Sequence, residues 1–249
     1  MSACIAVLYT TLLTLAAGLW CPAAALSADP RQEADRLYAQ RETPDRARQA
    51  AAIWRSAMAA DPSDFESAWK LARAQYWIGG HVPQDQARTA FESGMDAARR
   101  ASTIAPNRPE GPFWLAANMG GLAESQGMSA GLHYRKPIRA ALEQVLAMDP
   151  AFLQGSPDRA LGRWYFKVPR LFGGSKDESE AHLRKSLTYN PQSTATWSFL
   201  ADTLFAMGKD AEARAALQHV IDAPLDPEWA PEDREFKANA RKRLGGKAQ

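Results

Sequence analysis

The sequence predicts an all-α protein: a solenoid of five helical hairpins with a C-terminal capping helix. Three observations predict it. Five dipeptides ending in proline punctuate the chain at near-regular intervals, each interval holds two amphipathic helical periods, and no stretch alternates apolar with polar residues as a strand would. The dipeptides are Asp61-Pro62, Ala105-Pro106, Asp149-Pro150, Asn190-Pro191 and Asp226-Pro227, with prolines 44, 44, 41 and 36 residues apart. Proline has no N–H and disfavours helix in the residue before it, so each marks a helix end and a turn.

The hairpins follow in order, as repeats over about 31–64, 65–108, 109–152, 156–193 and 194–227. The first pairs Ala34, Leu37 and Tyr38 with Ala50, Trp54 and Ala57; the second pairs Leu71 and Ala72 with Gly94, Ala98 and Ala101. The third sets Leu115 and Ala116 against Ile138, Leu142 and Val145; the fourth sets Leu161 and Gly162 against Ser179, Leu183 and Ser186. The fifth is the most regular: Trp197, Leu200, Ala201 and Leu204, a break at Gly208, then Ala213, Leu217 and Val220. Small residues let paired helices approach while large ones fill the adjoining grooves. Ser63 with Glu66 and Ser175 with Glu178 read as capping boxes, and Pro44 and Pro157 suit first helical positions. Residues 230–244 form one more helix, whose charged face suits a terminal cap.

Composition bounds the function. The 249 residues are 46% hydrophobic and 23% charged, an ordinary globular balance, with a formal charge of only +2. That charge gives no reason to expect nucleic acid as a partner. Cys4 and Cys21, the only cysteines, rule out a disulfide scaffold or a cysteine zinc site downstream. Residues 1–28 carry no charged side chain and combine an apolar run with small residues before Ala28. They read as a signal peptide, hence an exported and periplasmic protein; the alternative is an uncleaved N-terminal anchor, the one expected membrane contact. Trp20 before Cys21 argues against lipid attachment there. Residues 29–249 then form a single domain.

The spacing of the fifth interval and its large, small and proline positions resemble a tetratricopeptide repeat (TPR). Two blocks are more particular: RPEGPFWLAANMGGLAESQG at 108–127 and PDRALGRWYFKVPRLFGGSKDESEAHLRKSLTYNP at 157–191. They resemble the T component that accompanies tripartite ATP-independent periplasmic (TRAP) transporters and, more distantly, the repeat domain of the regulators of microtubule dynamics. The resemblance spans roughly residues 60–225. It implies an exported, non-enzymatic partner of an extracytoplasmic solute-binding protein.

The repeats are not uniform. Twelve residues separate the small positions Tyr38 and Ala50, and again Ala201 and Ala213, but 22 separate Ala72 from Gly94 and Ala116 from Ile138, and 17 separate Gly162 from Ser179. The three inner repeats thus carry extra residues, each with a glycine pair, expected along one edge of the stack. In this repeat type the first helix of each pair lines the groove, which assigns a partner-binding set of Trp69, Arg73, Tyr76, Trp77, Glu110, Phe113, Asn118, Arg159, Arg163, Phe166, Lys167 and Arg170. Aromatics interleaved with arginine favour protein recognition, and Arg159, Arg163, Lys167 and Arg170 together suit a carboxylate. The opposing reading pairs these arginines with acids that tie repeats together.

Catalytic signatures are missing. The four histidines lie far apart without metal-ligand spacing, and GGSK at 173–176 lacks the order of a phosphate loop. The expectation is therefore no enzyme, no cofactor and no metal, but a scaffold for a protein partner; a homo-oligomer is left open. The alternative is a carrier for a small apolar ligand in an aromatic-lined pocket formed by the inner insertions.

Overall fold

A computed structural model describes residues 29–245, so the N-terminal segment with Cys4 and Cys21 lies outside the described residues. Eleven α-helices and no strand are present among them. They pair as α1 (Pro30–Ala39) with α2 (Pro44–Ala60), α3 (Phe65–Gly80) with α4 (Gln84–Ile104), and α5 (Glu110–Gln126) with α6 (Met128–Met148). Then come α7 (Phe152–Lys167) with α8 (Lys176–Tyr189), α9 (Thr194–Ala206) with α10 (Asp210–Asp222), and α11 (Ala230–Gly245) packed on α9 and α10. Successive hairpins stack in chain order, and α3 meets α5 as α7 meets α9, which makes the odd-numbered helices one wall of a solenoid.

The proline punctuation explains the helix ends. α2, α4, α6 and α8 have Asp61, Ala105, Asp149 and Asn190 as their C-terminal caps, each the residue before a proline. α10 stops earlier, at Asp222, so Asp226-Pro227 falls in the linker to α11. Ser175 caps α8 as expected, accepting from the Glu178 amide at 3.2 Å. The cap of α3 sits one residue later than expected: Asp64, not Ser63, accepts from the Ser67 amide at 3.0 Å. Ser63 instead bonds Asp61 and closes the preceding turn. Pro157 opens the regular part of α7, because Leu153, Gln154 and Gly155 turn left-handed just before it (φ +44, +61 and +79).

The extra residues of the second and third repeats lengthen helices, while those of the fourth form the α7–α8 connection with its 3-10 turn. α4 and α6 run for 21 residues each, against 13 in α9 and α10. One glycine of each inner pair serves packing. The Phe91 ring of α4 is wedged between Gly79 of α3 and Gly121 of α5, where added Cβ atoms would lie 2.6 and 2.3 Å from it. Asn118, fully buried on α5, donates to the Ala72 carbonyl at 3.0 Å and to the Trp114 carbonyl at 2.8 Å, and rests against Gly94 of α4. This one side chain ties three helices of neighbouring repeats. It lies in the interior, not on the partner-binding wall to which the sequence assigns it.

The core divides in two. One apolar cluster runs from Ala34 to Trp164, the other from Leu183 to Ala240. Trp229, in the linker to α11, packs on the first cluster although its helix belongs to the second.

Seats of this kind tolerate no added methyl. Gly94→Ala, whose Cβ would stand 2.1 Å from Asn118 Oδ1, is expected to cost about 2 kcal/mol. Gly120→Ala, with nothing within 4 Å, is expected to be neutral or to stabilise by up to about 1 kcal/mol through helix propensity. Urea denaturation of the two variants checks the contrast.

Candidate functional site

The concave wall is the candidate interface, and its side chains divide by environment. Trp77, Phe113, Glu110 and Asn118 are buried, so they support the wall from behind. Trp77 donates to the Arg41 carbonyl at 3.1 Å, and Phe113 packs edge-on against Trp114 and Phe152. Glu110 accepts from Arg108. Such positions follow the same helical spacing as groove positions, and only the turn of each helix against its neighbours separates them.

Arg73 lies between two rings, 4.4 Å from the Tyr38 centroid and 4.9 Å from that of Trp69, and 3.5 Å from Glu228. Its guanidinium is therefore held by cation–π contacts on both sides. Tyr76 is 42% exposed and leans on Phe91 and Trp114.

The basic cluster does not stay together. Arg163 bonds Asp202 at 2.9 Å and Glu124 at 3.3 Å and covers the Phe199 ring, which joins α5, α7 and α9. Near it on the last turns of α7, the Phe166 ring is partly buried and within 5.7 Å of the same guanidinium. Lys167 stands 3.6 Å from Glu124, and Arg170 is exposed on a short 3-10 turn outside the groove. Of the basic side chains assigned by the sequence that do lie in the wall, Arg159 alone has no carboxylate partner among the described residues: it bonds Ser156 Oγ at 2.6 Å. Burial pushes its guanidinium down to about 10, only partly countered by the more distant Tyr76, Glu232 and Asp233; it is still a cation near neutral pH.

The structure adds residues the sequence did not point to. The linker to α11 crosses the groove. Asp226 accepts from Gln154 beside α7 at 3.2 Å, and the Glu228 carbonyl accepts from Arg41 at 2.7 Å. Glu232, on the first turn of α11, receives the Arg41 Nε–H at 2.9 Å across 191 residues of sequence. Arg41 is only 3% exposed. Burial raises the Glu232 carboxyl above its ordinary range while Arg41 holds it back. Arg234 meets Glu42 at 2.6 Å, and His81 meets Glu235 at 2.8 Å. The two ends of the solenoid are thus tied, and one mouth of the groove is spanned by the chain itself. Nothing in the turn sequence around Arg41 signals this, because its partner lies at the far end of the chain.

Among the described residues no cluster of His, Cys, Asp or Glu is arranged to hold a metal ion, and no helix is long and apolar enough to cross a membrane.

With this geometry in place, the relatives are informative. The sequence model of the TRAP transporter T-component matches residues 110–243, and that of regulator of microtubule dynamics protein 1-3 matches residues 31–172. The chain belongs to both families. No curated protein matches it in sequence. The thermophilic TPR protein TTC0263 of Thermus thermophilus is similar in fold, with a TM-score of 0.65 at 21% identity, over 87% of this chain and 100% of that one. MamA (TM-score 0.49, 16% identity, 80% of this chain and 95% of that one) and Pseudomonas aeruginosa pilF (0.49, 18%, 88% and 95%) are also similar. The T-component match covers α5 to most of α11, so it includes Arg159, Arg163 and the segment that spans the groove. The microtubule-regulator match covers the wall from α1 to the 3-10 turn.

Two outcomes test the tie between the ends. Arg41→Leu strands Glu232 and leaves the Glu228 carbonyl unpaired, which should cost about 3 kcal/mol in denaturant unfolding. His81 gives a pH signature. Burial opposes its charge, but the bond to Glu235 and the Trp77 carbonyl outweigh that, so its pKa is raised. A raised folded pKa means the contribution is complete below the unfolded value of about 6.5 and fades as pH rises through the folded value. The melting temperature of His81→Asn should therefore fall furthest behind the unaltered chain at about pH 5.5, and the gap should narrow by about pH 8.5.

Proposed function

We propose that the chain is a non-enzymatic, exported TPR scaffold whose concave wall binds a protein partner, the solute-binding subunit of a TRAP-type transporter. The observation that carries the reading is the T-component match over residues 110–243, the half of the chain that supplies Arg159 to the wall. The chemistry is consistent with it. Arg159 offers four guanidinium N–H groups beyond its bond to Ser156, and Tyr76 offers a half-exposed ring two repeats away on the same wall. A carboxylate side chain with an adjacent apolar surface satisfies both. The rival reading, a small apolar ligand held by the inner insertions, gains nothing from their glycine pairs, which seat Phe91 and close a turn.

The test is a titration of the purified chain with the purified solute-binding subunit, followed by calorimetry. A complex should form, and Arg159→Met should weaken it at least tenfold, since losing a charged hydrogen bond costs about 1.5–3 kcal/mol. Arg159→Met should leave the melting temperature unchanged or higher, because a desolvated cation without a carboxylate partner contributes nothing to folding. Absence of a complex with the unaltered chain sinks the reading.

A further inference from the structure

Two stretches of the chain have no carboxylate. Residues 127–142 hold His133, Arg135, Lys136 and Arg139 without an Asp or Glu, and residues 159–176 hold Arg159, Arg163, Lys167, Arg170 and Lys176 without one. The fold sets parts of them side by side. Trp164 donates its indole N–H to the Arg135 carbonyl at 2.8 Å, and the Arg135 guanidinium lies 5.5 Å from the Phe172 centroid. Arg139, one turn along α6, lies 5.6 Å from both Trp164 and Tyr165. Met128, Leu132, Arg135 and Arg139 follow i, i+4, i+7, i+11 spacing, so they share one face of α6. That face meets α7 at Arg139 and the α7–α8 connection at Arg135, and continues beyond them to Met128, which is 74% exposed.

The connection projects Leu171, 87% exposed, and Phe172, 40% exposed. It is a built turn. The Phe172 amide donates to the Pro169 carbonyl at 2.8 Å, Gly173 to Arg170 at 3.1 Å, and Ser175 to Tyr165 at 3.0 Å. Gly173 takes φ +105, and Gly174 packs against the Val168 carbonyl with no room for a side chain. The apolar residues are therefore held outward. Around them Arg139, Arg163 and Lys167 are paired with Glu143 and Glu124, whereas Arg135, Lys136 and Arg170 have no ion-pair partner among the described residues.

We propose that this tip, made by the start of α6 and the α7–α8 connection, docks the protein on an anionic lipid surface. Leu171, Phe172 and Met128 enter the boundary between headgroups and acyl chains, and Lys136, Arg170 and Arg135 lie among the headgroups. Shape and charge favour lipid over a protein. The apolar side chains protrude from a basic surround, the arrangement that insertion at an anionic lipid interface requires. No carboxylate from either stretch interrupts the basic rim, so a surface of one sign complements it. The site lies outside the groove and stands independently of the scaffold reading.

A local probe tests it. The full chain carrying Cys4→Ser, Cys21→Ser and Leu171→Cys is labelled at position 171 with an environment-sensitive fluorophore. It is then titrated with phosphatidylcholine vesicles, either pure or containing one-third phosphatidylglycerol. The probe reads the tip itself, whatever residues 1–28 do. Emission should shift to the blue with the anionic vesicles and hardly at all with the neutral ones. Lys136→Glu combined with Arg170→Glu should raise the half-saturating lipid concentration about tenfold or more, with unchanged circular dichroism because both residues are exposed. No shift, an equal shift with neutral vesicles, indifference to charge reversal, or a shift produced only by the solute-binding subunit overturns the proposal.

Discussion

Neighbouring hairpins must come close enough for each to bury the apolar stripe of the next, and a few small residues permit it. Phe91 fits only because Gly79 and Gly121 leave space on either side. Asn118 reaches the Ala72 carbonyl only because Gly94 lets α5 lie directly on α4. Leu183 likewise packs onto Gly162, where a Cβ would stand 2.5 Å from its Cγ. A solenoid has no contacts beyond adjacent repeats to compensate for a poor one. The register of every downstream helix therefore depends on these seats.

Given that stack, the protein departs from an open solenoid by tying its ends. A free solenoid exposes its terminal repeats and can open along its length. Here the linker before α11 crosses the groove, with Trp229 on the N-terminal core and Glu228 and Glu232 on Arg41. Burying the Arg41–Glu232 pair costs desolvation, and the second bond from Arg41 to the Glu228 carbonyl helps offset it. The tie joins two apolar clusters that otherwise meet only where α7 packs on its neighbours.

The same arrangement distributes charge. The acids of residues 226–235 are used on Gln154, Arg41, Arg73 and His81 at one mouth of the groove. Glu124 and Asp202 engage Arg163. Arg135, Lys136 and Arg170, which have no ion-pair partner among the described residues, lie away from the groove, on the tip formed by the two carboxylate-free stretches. A net charge of +2 thus hides a marked local asymmetry.

Local chemistry settled much of this from the chain alone. Proline cannot continue a helix, so four of the five X-Pro steps end helices at the residue before them. Helical periodicity separates buried from exposed faces, as with Ala34, Trp54 and Val145. The family blocks at 108–127 and 157–191 could also be read there. Tertiary structure alone decided which of two plausible roles each wall residue took, because a buried tryptophan such as Trp77 and a half-buried one such as Trp69 share the same spacing. It also decided that Arg163 is spoken for while Arg159 is not, and that Arg41 meets Glu232. Pairings between residues tens to nearly two hundred positions apart leave no trace in local pattern; they follow from the accumulated rotation of one hairpin on the next.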